Sequence, residues 1–451
     1  MKDDVVNCSI SLFSGGGIGD LGIEYGAKIP IIAFCEIDSR RQKLLKNNYP
    51  NAEVFGDISL EKTDIITFVK NKLQGKRPLL ISMSPPCQGM STNGKGRINS
   101  EVAKGKRNEI DKRNSLILPA LDIVNSLEPE FIIIENVPQM AITEIPIKGR
   151  MNNLLKVIKR RLKGYDLQSA KMDFHLLGVP HKRSRLITIG IRKSKNCSKL
   201  ISKKMLIQWS KSKILPLPNA DFVNNESQLY LSNVIKHLPE IKNGSFDPKN
   251  PFHCAPKLND WHNKIISFTP EGKSAFHNNN CANISCRTIN ILTALRCKKC
   301  RRFLLKPLVT KKYCSQCKLE QSISNHSCEI CNQKVRIRKR LVKGFKGTSY
   351  KRMNWEQVAF TITQNNGTIS SDNKIHPTQN RSLSILELMI LSTILTSVIE
   401  VPWHNKYTFQ SFDSKEELLK CSSVPREVIG ESIPPLAMWE IVKSLISIHR
   451  I

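Results

Sequence analysis

One cysteine of this chain stands where a thiolate could attack. Ser84-Pro85-Pro86-Cys87-Gln88-Gly89 follows the apolar run Leu79–Met83, and its two prolines stiffen the loop that carries the sulfur. A single cysteine is ordinarily a small buried hydrophobe; in a polar loop at the end of a strand it reads as a nucleophile. A thiolate suits a ring carbon that is not nucleophilic until a covalent bond forms beside it. An aromatic residue after Pro-Pro would instead suit an exocyclic amine attacking through its own lone pair. Further along, Phe131-Ile132-Ile133-Ile134-Glu135 sets a carboxylate after four apolar residues. His181-Lys182-Arg183-Ser184-Arg185 supplies two guanidiniums, Arg183 and Arg185, able to polarise a carbonyl or hold phosphate.

A ligand turn precedes these groups. In Phe13-Ser14-Gly15-Gly16-Gly17-Ile18-Gly19-Asp20 the glycines follow an apolar run, so a ligand can approach the backbone with no Cβ in the way. Roughly twenty residues later, Glu36-Ile37-Asp38 offers an acidic side chain to ribose hydroxyls. Asp57-Ile58 offers a carboxylate to an adenine amino group. Asp20 breaks the Gly-x-Gly-x-x-Gly pattern, which disfavours a nicotinamide dinucleotide, and no Gly-Lys-Ser/Thr ending marks a phosphate-binding loop. Glycines with no Lys or Arg among them suit a cofactor without phosphates, such as S-adenosyl-L-methionine.

Groups so scattered in sequence need a scaffold that gathers them. Over residues 1–193 the apolar runs Ser9–Phe13, Pro30–Cys35, Leu79–Met83, Phe131–Ile134 and Leu186–Ile191 alternate with helix-like spacing at Ile18–Ala27, Arg40–Asn48, Thr63–Leu73, Ser115–Leu127 and Met151–Leu162. This alternation predicts an α/β fold, a doubly wound and mostly parallel sheet with ligands at the carboxyl ends of its strands. From 194 to 424 the pattern dissolves into Lys-, Asn- and Ser-rich segments, predicting a smaller irregular domain. Residues 425–451 are helical again. The apolar stretch Leu388–Val401 is too short and too interrupted to span a bilayer and predicts a buried helix or strand.

The 451 residues hold 70 Lys and Arg against 38 Asp and Glu, a net charge of +32. That excess predicts a polyanionic partner, most plausibly nucleic acid. No apolar leader follows Met1-Lys2-Asp3-Asp4, so the expectation is a soluble cytoplasmic protein with no membrane association.

Taken together these residues resemble the cytosine-C5 DNA methyltransferases. The resemblance runs through Phe13-Ser14-Gly15-Gly16-Gly17, Glu36-Ile37-Asp38, Gly56-Asp57-Ile58, Pro85-Pro86-Cys87-Gln88, Arg113-Asn114-Ser115-Leu116, Glu135-Asn136-Val137 and the Arg183-x-Arg185 pair. Late in the chain, Arg381-Ser382-Leu383-Ser384 through Glu387 looks like the family's ninth motif, and Gly430-Glu431-Ser432-Ile433-Pro434-Pro435 like its tenth. It implies a Rossmann-like methyltransferase domain at 1–193, a target-recognition region at 194–424, in which Thr361-Ile362-Thr363 resembles the family's threonine-containing recognition turn, and a segment, 425–451, returning to the catalytic sheet. It also implies S-adenosyl-L-methionine held by Phe13, Gly15, Gly17, Glu36, Ile37, Asp57, Ile58, Pro85, Leu116, Glu431 and Ser432. Cys87 would add to C6 of a cytosine flipped out of double-stranded DNA, Glu135 would serve N3, Arg185 the O2 carbonyl, and Arg183 the loop and nearby phosphate. A monomer in the bacterial cytoplasm or nucleoid, within a restriction-modification system, is the expected setting. Ile18, His181 and Glu431 depart from the family's usual glycine, glutamine and asparagine. An RNA substrate on the same fold, or a silent DNA-binding regulator, are the competing readings; retention of Cys87, Glu135 and Arg185 argues against the latter.

Six of fourteen cysteines form three Cys-x-x-Cys pairs: Cys297/Cys300, Cys314/Cys317 and Cys328/Cys331. Such turns aim two thiolates at one tetrahedral ion, so the insert predicts structural zinc. Six ligands do not divide by four. Cys281, Cys286 or His326 could complete a second ion, or one pair could stand idle.

Overall fold

The computed structural model describes residues 4–86, 112–147, 149–193, 226–322, 324–342, 349–370, 374–396, 400–409 and 423–449. Cys87, the expected nucleophile, lies outside them.

A seven-stranded sheet organises the catalytic part. Its strands are β1 (Val5–Leu12), β2 (Ile31–Cys35), β3 (Glu53–Phe55), β4 (Arg77–Met83), β5 (Phe131–Asn136), β8 (Tyr165–Asp173) and β9 (Ser184–Arg192), in the order β3-β2-β1-β4-β5-β9-β8. β6 (Glu144–Ile147) and β7 (Arg150–Asn153) form a separate hairpin. The first five strands of the sheet run parallel; β9 pairs antiparallel with β5 and with β8. Helices α1 (Ser39–Asn48), α2 (Ile58–Lys72), α3 (Ile117–Leu127) and α4 (Leu154–Arg161) make the crossovers. Two apolar clusters bury the faces, one around Ile10, Ile81 and Ile132, the other around Phe34, Leu80 and Ile133.

β3 and β8 were not legible as strands. β3 has three residues and no buried one, and β8 is an edge strand of polar composition with mostly half-buried side chains. The helix expected over Ile18–Ala27 is only a wide π-helical turn, Gly22–Gly26. There a Cβ on Gly22 would fall 2.2 Å from the Pro435 carbonyl oxygen, because a C-terminal helix packs against this turn. Met151–Leu162 begins its helix at Leu154, since Arg150–Asn153 is spent on the hairpin and Asn153 caps the helix by accepting from Lys156 N.

In the insert, strands β10 (Phe246–Asp247) and β11 (Asn250–Cys254) form a hairpin, α5 (Asp260–Ile266) follows, and β12 (Leu308–Tyr313), β13 (Glu320–Gln321) and β14 (Arg336–Leu341) form a second sheet in the order β13-β12-β14. The apolar stretch expected at 388–401 contributes to a helix, α6 (Ile385–Leu391), buried along its length. The C-terminal segment is two helices, α7 (Ser423–Glu431) and α8 (Pro435–His449), broken at Ser432-Ile433-Pro434. The apolar cluster around Phe34 also takes in Leu383, Leu388, Val428, Leu436 and Ile441, so α6, α7 and α8 complete the catalytic core. Among the described residues no helix is long and apolar enough to cross a membrane.

The start of α6 depends on a buried ion pair. Arg381 Nη1 and Nη2 donate to the two Glu387 oxygens at 2.8 and 2.7 Å, with both side chains 1% exposed. Glu387 also accepts from Ser384 N, while Ser384 Oγ accepts from Glu387 N, closing a capping box. Burial alone would raise the Glu387 carboxyl, but Arg381 holds it down at about 2; His376, 3.8 Å away, is pushed by burial to about 3. Both groups bind protons more readily unfolded, so His376 removes stability as pH falls below its unfolded value of about 6.5, and Glu387 does so below about 4.3. Glu387→Gln should cost about 3–5 kcal/mol, because it leaves a buried guanidinium without its counter-charge. Urea denaturation at pH 7 measures this, and a variant as stable as wild type would show that the pair contributes nothing.

Candidate active site and metal centres

Register sets the site's geometry. Phe55, Cys35, Leu12, Met83 and Ile134 lie side by side across the parallel strands. The next residue on four of those strands is therefore Glu36, Phe13, Ser84 or Glu135, one row at the carboxyl edge. β1 and β4 meet where the order of connection reverses, the crevice in which such sheets bind ligands. The glycine turn and the Cys87 loop open from those two strands.

The turn's backbone is left-handed at Phe13 (φ 57°), Gly15 (φ 57°) and Gly17 (φ 75°). Tyr49 and Tyr407 hydroxyls donate to the Gly17 and Gly16 carbonyls, each at 2.6 Å. A Cβ on Gly16 would meet Val428 at 2.3 Å, while one on Gly15 would meet nothing within 4 Å. The turn is thus packed on one side and open at Gly15. Glu36 is buried and accepts from Gly15 N at 2.8 Å and Asp38 N at 2.9 Å. Ile37 is 70% exposed at the end of β2, an apolar surface unusual for a large side chain and suited to an adenine face. Asp57 caps α2 through one oxygen by accepting from Ser59 N; its other oxygen accepts no hydrogen bond among the described residues. Ile58 is buried. Open backbone, an acidic ribose acceptor and an apolar platform, with no cation in the turn, fit S-adenosyl-L-methionine.

Pro85 is buried, and its carbonyl accepts from Asn136 Nδ2 at 3.0 Å; Asn136 Oδ1 accepts from Val137 N. Asn136 therefore fixes the entry to the Cys87 loop from the end of β5, a role sequence reading missed although it quoted the residue. Glu135, also buried, forms an ion pair with Arg185, whose Nε stands 2.7 Å from its carboxylate. Arg183 is 1% exposed, and its guanidinium donates to the carbonyls of Ile362 (3.0 Å), Gly430 (3.0 Å) and Glu431 (2.7 Å). It caps the carbonyls at the end of α7, as cations favour. Its guanidinium is thus engaged with backbone carbonyls of the Thr361-Ile362-Thr363 turn and of the α7 end. His181 is buried, with neither ring nitrogen hydrogen-bonded and its basicity far below normal through burial and the nearby Arg183.

The tenth-motif residues Glu431 and Ser432 lie at and just past the end of α7. Ser432 Oγ donates to Ile429 O, within its own helix end. The Glu431 side chain pairs with Arg41 Nη2 at 2.5 Å and accepts from Gln364 Nε2. Arg41 Nη1 in turn stands 3.9 Å from Glu36. A Cβ on Gly430 would lie 2.4 Å from the Thr363 backbone, so glycine lets α7 end directly on the Thr361-Ile362-Thr363 turn. That turn is tied to the Arg-x-Arg segment by Thr361 Oγ1 donating to Lys182 O and by Lys182 N donating to Ala359 O. Leu116 closes the single turn Lys112–Leu116 before α3.

Eight cysteines gather into two groups of four: Cys281, Cys286, Cys297 and Cys300, and Cys314, Cys317, Cys328 and Cys331. Within each, the sulfurs all lie within 4.8 Å of one another. Cys281 and Cys286, rather than His326, complete the first set, which resolves the six-ligand puzzle. The residue after the last cysteine of each turn is left-handed without being glycine: Arg287 (φ 46°), Arg301 (φ 59°), Lys318 (φ 53°) and Asn332 (φ 56°). Such a backbone costs roughly 1–2 kcal/mol per residue unless something over-determines it. Backbone N–H groups, foremost those of Cys300 and of Cys331, lower the Cys297 and Cys328 thiols, whereas Cys281, Cys317 and Cys331 are raised, with neighbouring thiols contributing; neither group thus favours four thiolates unaided, and an ion would be needed to hold them.

The sheet order, the unphosphated glycine turn and the acidic ends of β2 and β3 define a methyltransferase of the S-adenosylmethionine-dependent class. The profile of the C-5 cytosine-specific DNA methylases matches residues 8–447, and the chain belongs to that family. It is 27% identical over 456 residues, 99% of each chain, to the Type II methyltransferase M1.HgaI of Avibacterium volantium. It is 32% identical over 187 residues, 41% of this chain and 48% of the relative, to M.NgoPII of Neisseria gonorrhoeae. The S. pombe Dnmt2 methyltransferase superposes with a TM-score of 0.51 at 13% identity, covering 99% of this chain and all of the other; at that identity the likeness is one of fold.

Burial raises the Glu36 carboxyl, while the Asp38 N–H and Arg41 oppose the rise. Arg41→Met should therefore let Glu36 take up its proton at higher pH, and a protonated Glu36 accepts ribose hydroxyls less well. Calorimetric titration with S-adenosyl-L-methionine at successively lower pH should show affinity falling earlier, that is at higher pH, in the variant. Parallel pH profiles would remove Arg41 from the cofactor site.

Proposed function

We propose that this enzyme methylates C5 of a cytosine flipped from a specific double-stranded DNA sequence, through a covalent Cys87–C6 adduct, in the setting of a Type II restriction-modification system. The observation that carries the reading is the row at the carboxyl edge of the sheet: Glu36, Phe13 and Glu135 stand on neighbouring strands with the loop to Cys87 between them. Full-length similarity to a Type II methyltransferase supports the setting, and a bacterial cytoplasm suits it.

S-adenosyl-L-methionine, held by Phe13, Gly15, Gly17, Glu36, Ile37, Asp57 and Ile58 with Pro85 and Leu116 beside them, supplies an electrophilic methyl on a sulfonium. The target C5 lies inside a base stack, so the base must first leave the duplex. Cys87, whose free thiol would have a pKa of about 8.5 and needs activation, adds as thiolate to C6. Glu135 engages N3 and draws electrons away from C6, oriented by Arg185, which also holds the O2 carbonyl. Arg183 keeps this strand end docked on the recognition turn. The addition makes C5 nucleophilic, so that it would take the donor's methyl as the S–CH3 bond breaks with its electron pair left on sulfur; loss of the C5 proton to a base and departure of Cys87 as thiolate then restore the ring. Glu431, paired with Arg41, acts on the cofactor pocket through that arginine.

Each tetrathiolate group holds one Zn²⁺, a structural ion because all four positions are filled by protein sulfur. Among the described residues the apolar cluster at the first group is small, Cys281, Cys297 and Leu304 with Cys286, Ala294 and Cys300 packed against it, so the metal substitutes for a larger core.

Cys87→Ala should abolish methyl transfer while cofactor binding persists, and duplexes carrying 5-fluorocytosine should trap wild-type enzyme covalently, because fluorine cannot leave as a proton does. Active enzyme that forms no adduct would mean transfer without covalent addition. Protein purified without chelator should contain two zinc ions per chain by elemental analysis, and Cys281→Ser should lower that to one. A variant that keeps two ions would exclude Cys281 as a ligand.

A further inference from the structure

Residues 278–342 carry fifteen Lys and Arg against two Glu, a net charge of +13 in a chain whose total is +32. Eight thiolates and two dications would still leave +9. The segment is an excursion with its feet joined: Ser274 bridges to Lys351, and Ala275 N donates to Tyr350 O at 2.9 Å. It contributes no strand to the catalytic sheet.

Its own sheet sorts the charges. In the β12–β14 register Val309 opposes Arg340, Lys311 opposes Arg338, and Tyr313 opposes Arg336, while Tyr313 also opposes Glu320 on β13. Directly opposed residues share a face, so one face holds Lys311, Arg336, Arg338 and Arg340. Glu320 takes Arg340 at 2.6 Å and Lys311 at 3.5 Å. Arg336 and Arg338 are exposed and meet no carboxylate among the described residues; Arg338 lies over the Tyr313 ring at 5.8 Å. Cys314 follows β12 directly, and Cys328 and Cys331 lie between β13 and β14, so the second tetrathiolate group ties the ribbon's ends.

We propose that this ribbon face grips the phosphate backbone of the substrate duplex as a sequence-independent clamp, with Arg336 and Arg338 as its contacts. The inference rests on DNA being the substrate. Among the described residues the register brings no carboxamide onto this face to read an adenine edge; it has cations at alternate residues, roughly 6.6 Å apart. Duplex DNA carries one charge per about 1.7 Å of its axis, so such cations find phosphates in any register. An ammonium or guanidinium face of this kind supplies affinity and salt dependence, not sequence choice.

The test uses the full-length, zinc-loaded chain and the double variant Arg336→Gln/Arg338→Gln. Affinity is measured against salt on a duplex containing the methylated site and on a random duplex. The slope of log K against log salt should shallow by about 1.8, since each phosphate contact is worth about 0.9. Both duplexes should lose affinity by the same factor, and Arg336→Lys/Arg338→Lys should restore the slope. Zinc content and turnover at saturating DNA should stay at wild-type values, which excludes misfolding. An unchanged slope, or a loss confined to the target duplex, overturns the clamp. So does a wild-type protein whose salt-dependent binding is to single-stranded RNA or an acidic polypeptide instead. Wild-type protein that methylates no DNA defeats the substrate reading; DNA methylation with an unaltered slope in the variant defeats only this proposal.

Discussion

The buried guanidinium of Arg183 is the contact on which the site's assembly depends. A helix end leaves its last carbonyls without partners, and burying them unpaired would cost about 1–3 kcal/mol each. α7 ends against the recognition turn with Gly430 and Glu431 carbonyls facing Arg183, which also takes Ile362 O. One side chain thereby joins three stretches separated by as many as 248 residues of sequence. A neutral side chain could not satisfy three acceptors, and lysine could not match them with a planar fork. Gly430 is the complementary requirement, because any Cβ there would push the Thr363 backbone away.

From that joint, order passes in two directions. Two residues on, Arg185 meets Glu135, so the carboxylate proposed for catalysis is paired with a strand whose start is anchored by Arg183. In the other direction the Glu431 side chain reaches Arg41, which faces Glu36, whose carboxylate holds Gly15 N. The Gln364 amide donates to Glu431 as well. The Gln364 side chain, a C-terminal helix end and the glycine turn therefore share one polar network. Displacing the Thr361-Ile362-Thr363 turn and the neighbouring Gln364 would therefore disturb the contacts of Glu431, Arg41 and Glu36.

Much of this was legible in the sequence, for a definable reason. Glycines, prolines and isolated charges after apolar runs mark strand ends, so Gly15, Glu36, Asp57 and Glu135 announced themselves, as did the parallel sheet. Strand β3 was invisible because three half-exposed residues carry no period. Arg41 was invisible because a charge on a helix ordinarily faces solvent; only the fold brings it beside Glu36 and Glu431. Cys281 and Cys286 lack the two-residue spacing that marks the other pairs, so their membership in a metal site had to come from three dimensions. The catalytic role of Cys87 rests on its motif, since that residue lies outside the described part of the chain.

The two halves of the molecule are held by different physics, and the division has consequences. The catalytic sheet buries branched aliphatic side chains on both faces, with α6, α7 and α8 extending the same core. The insert between Ser274 and Lys351 has almost no core, and its like charges repel one another. Burial cannot hold such a segment together, whereas thiolates bound to a dication both close its turns and offset its charge. A cationic surface can then be rigid without being apolar, which is what a polyanion requires of its partner. Because the feet of the insert are hydrogen-bonded to each other, its strands need not share the register of the catalytic sheet. Strong positive charge can thus be added beside a reaction centre that itself depends on buried carboxylates at Glu36 and Glu135, without drawing the repelling cations into that core.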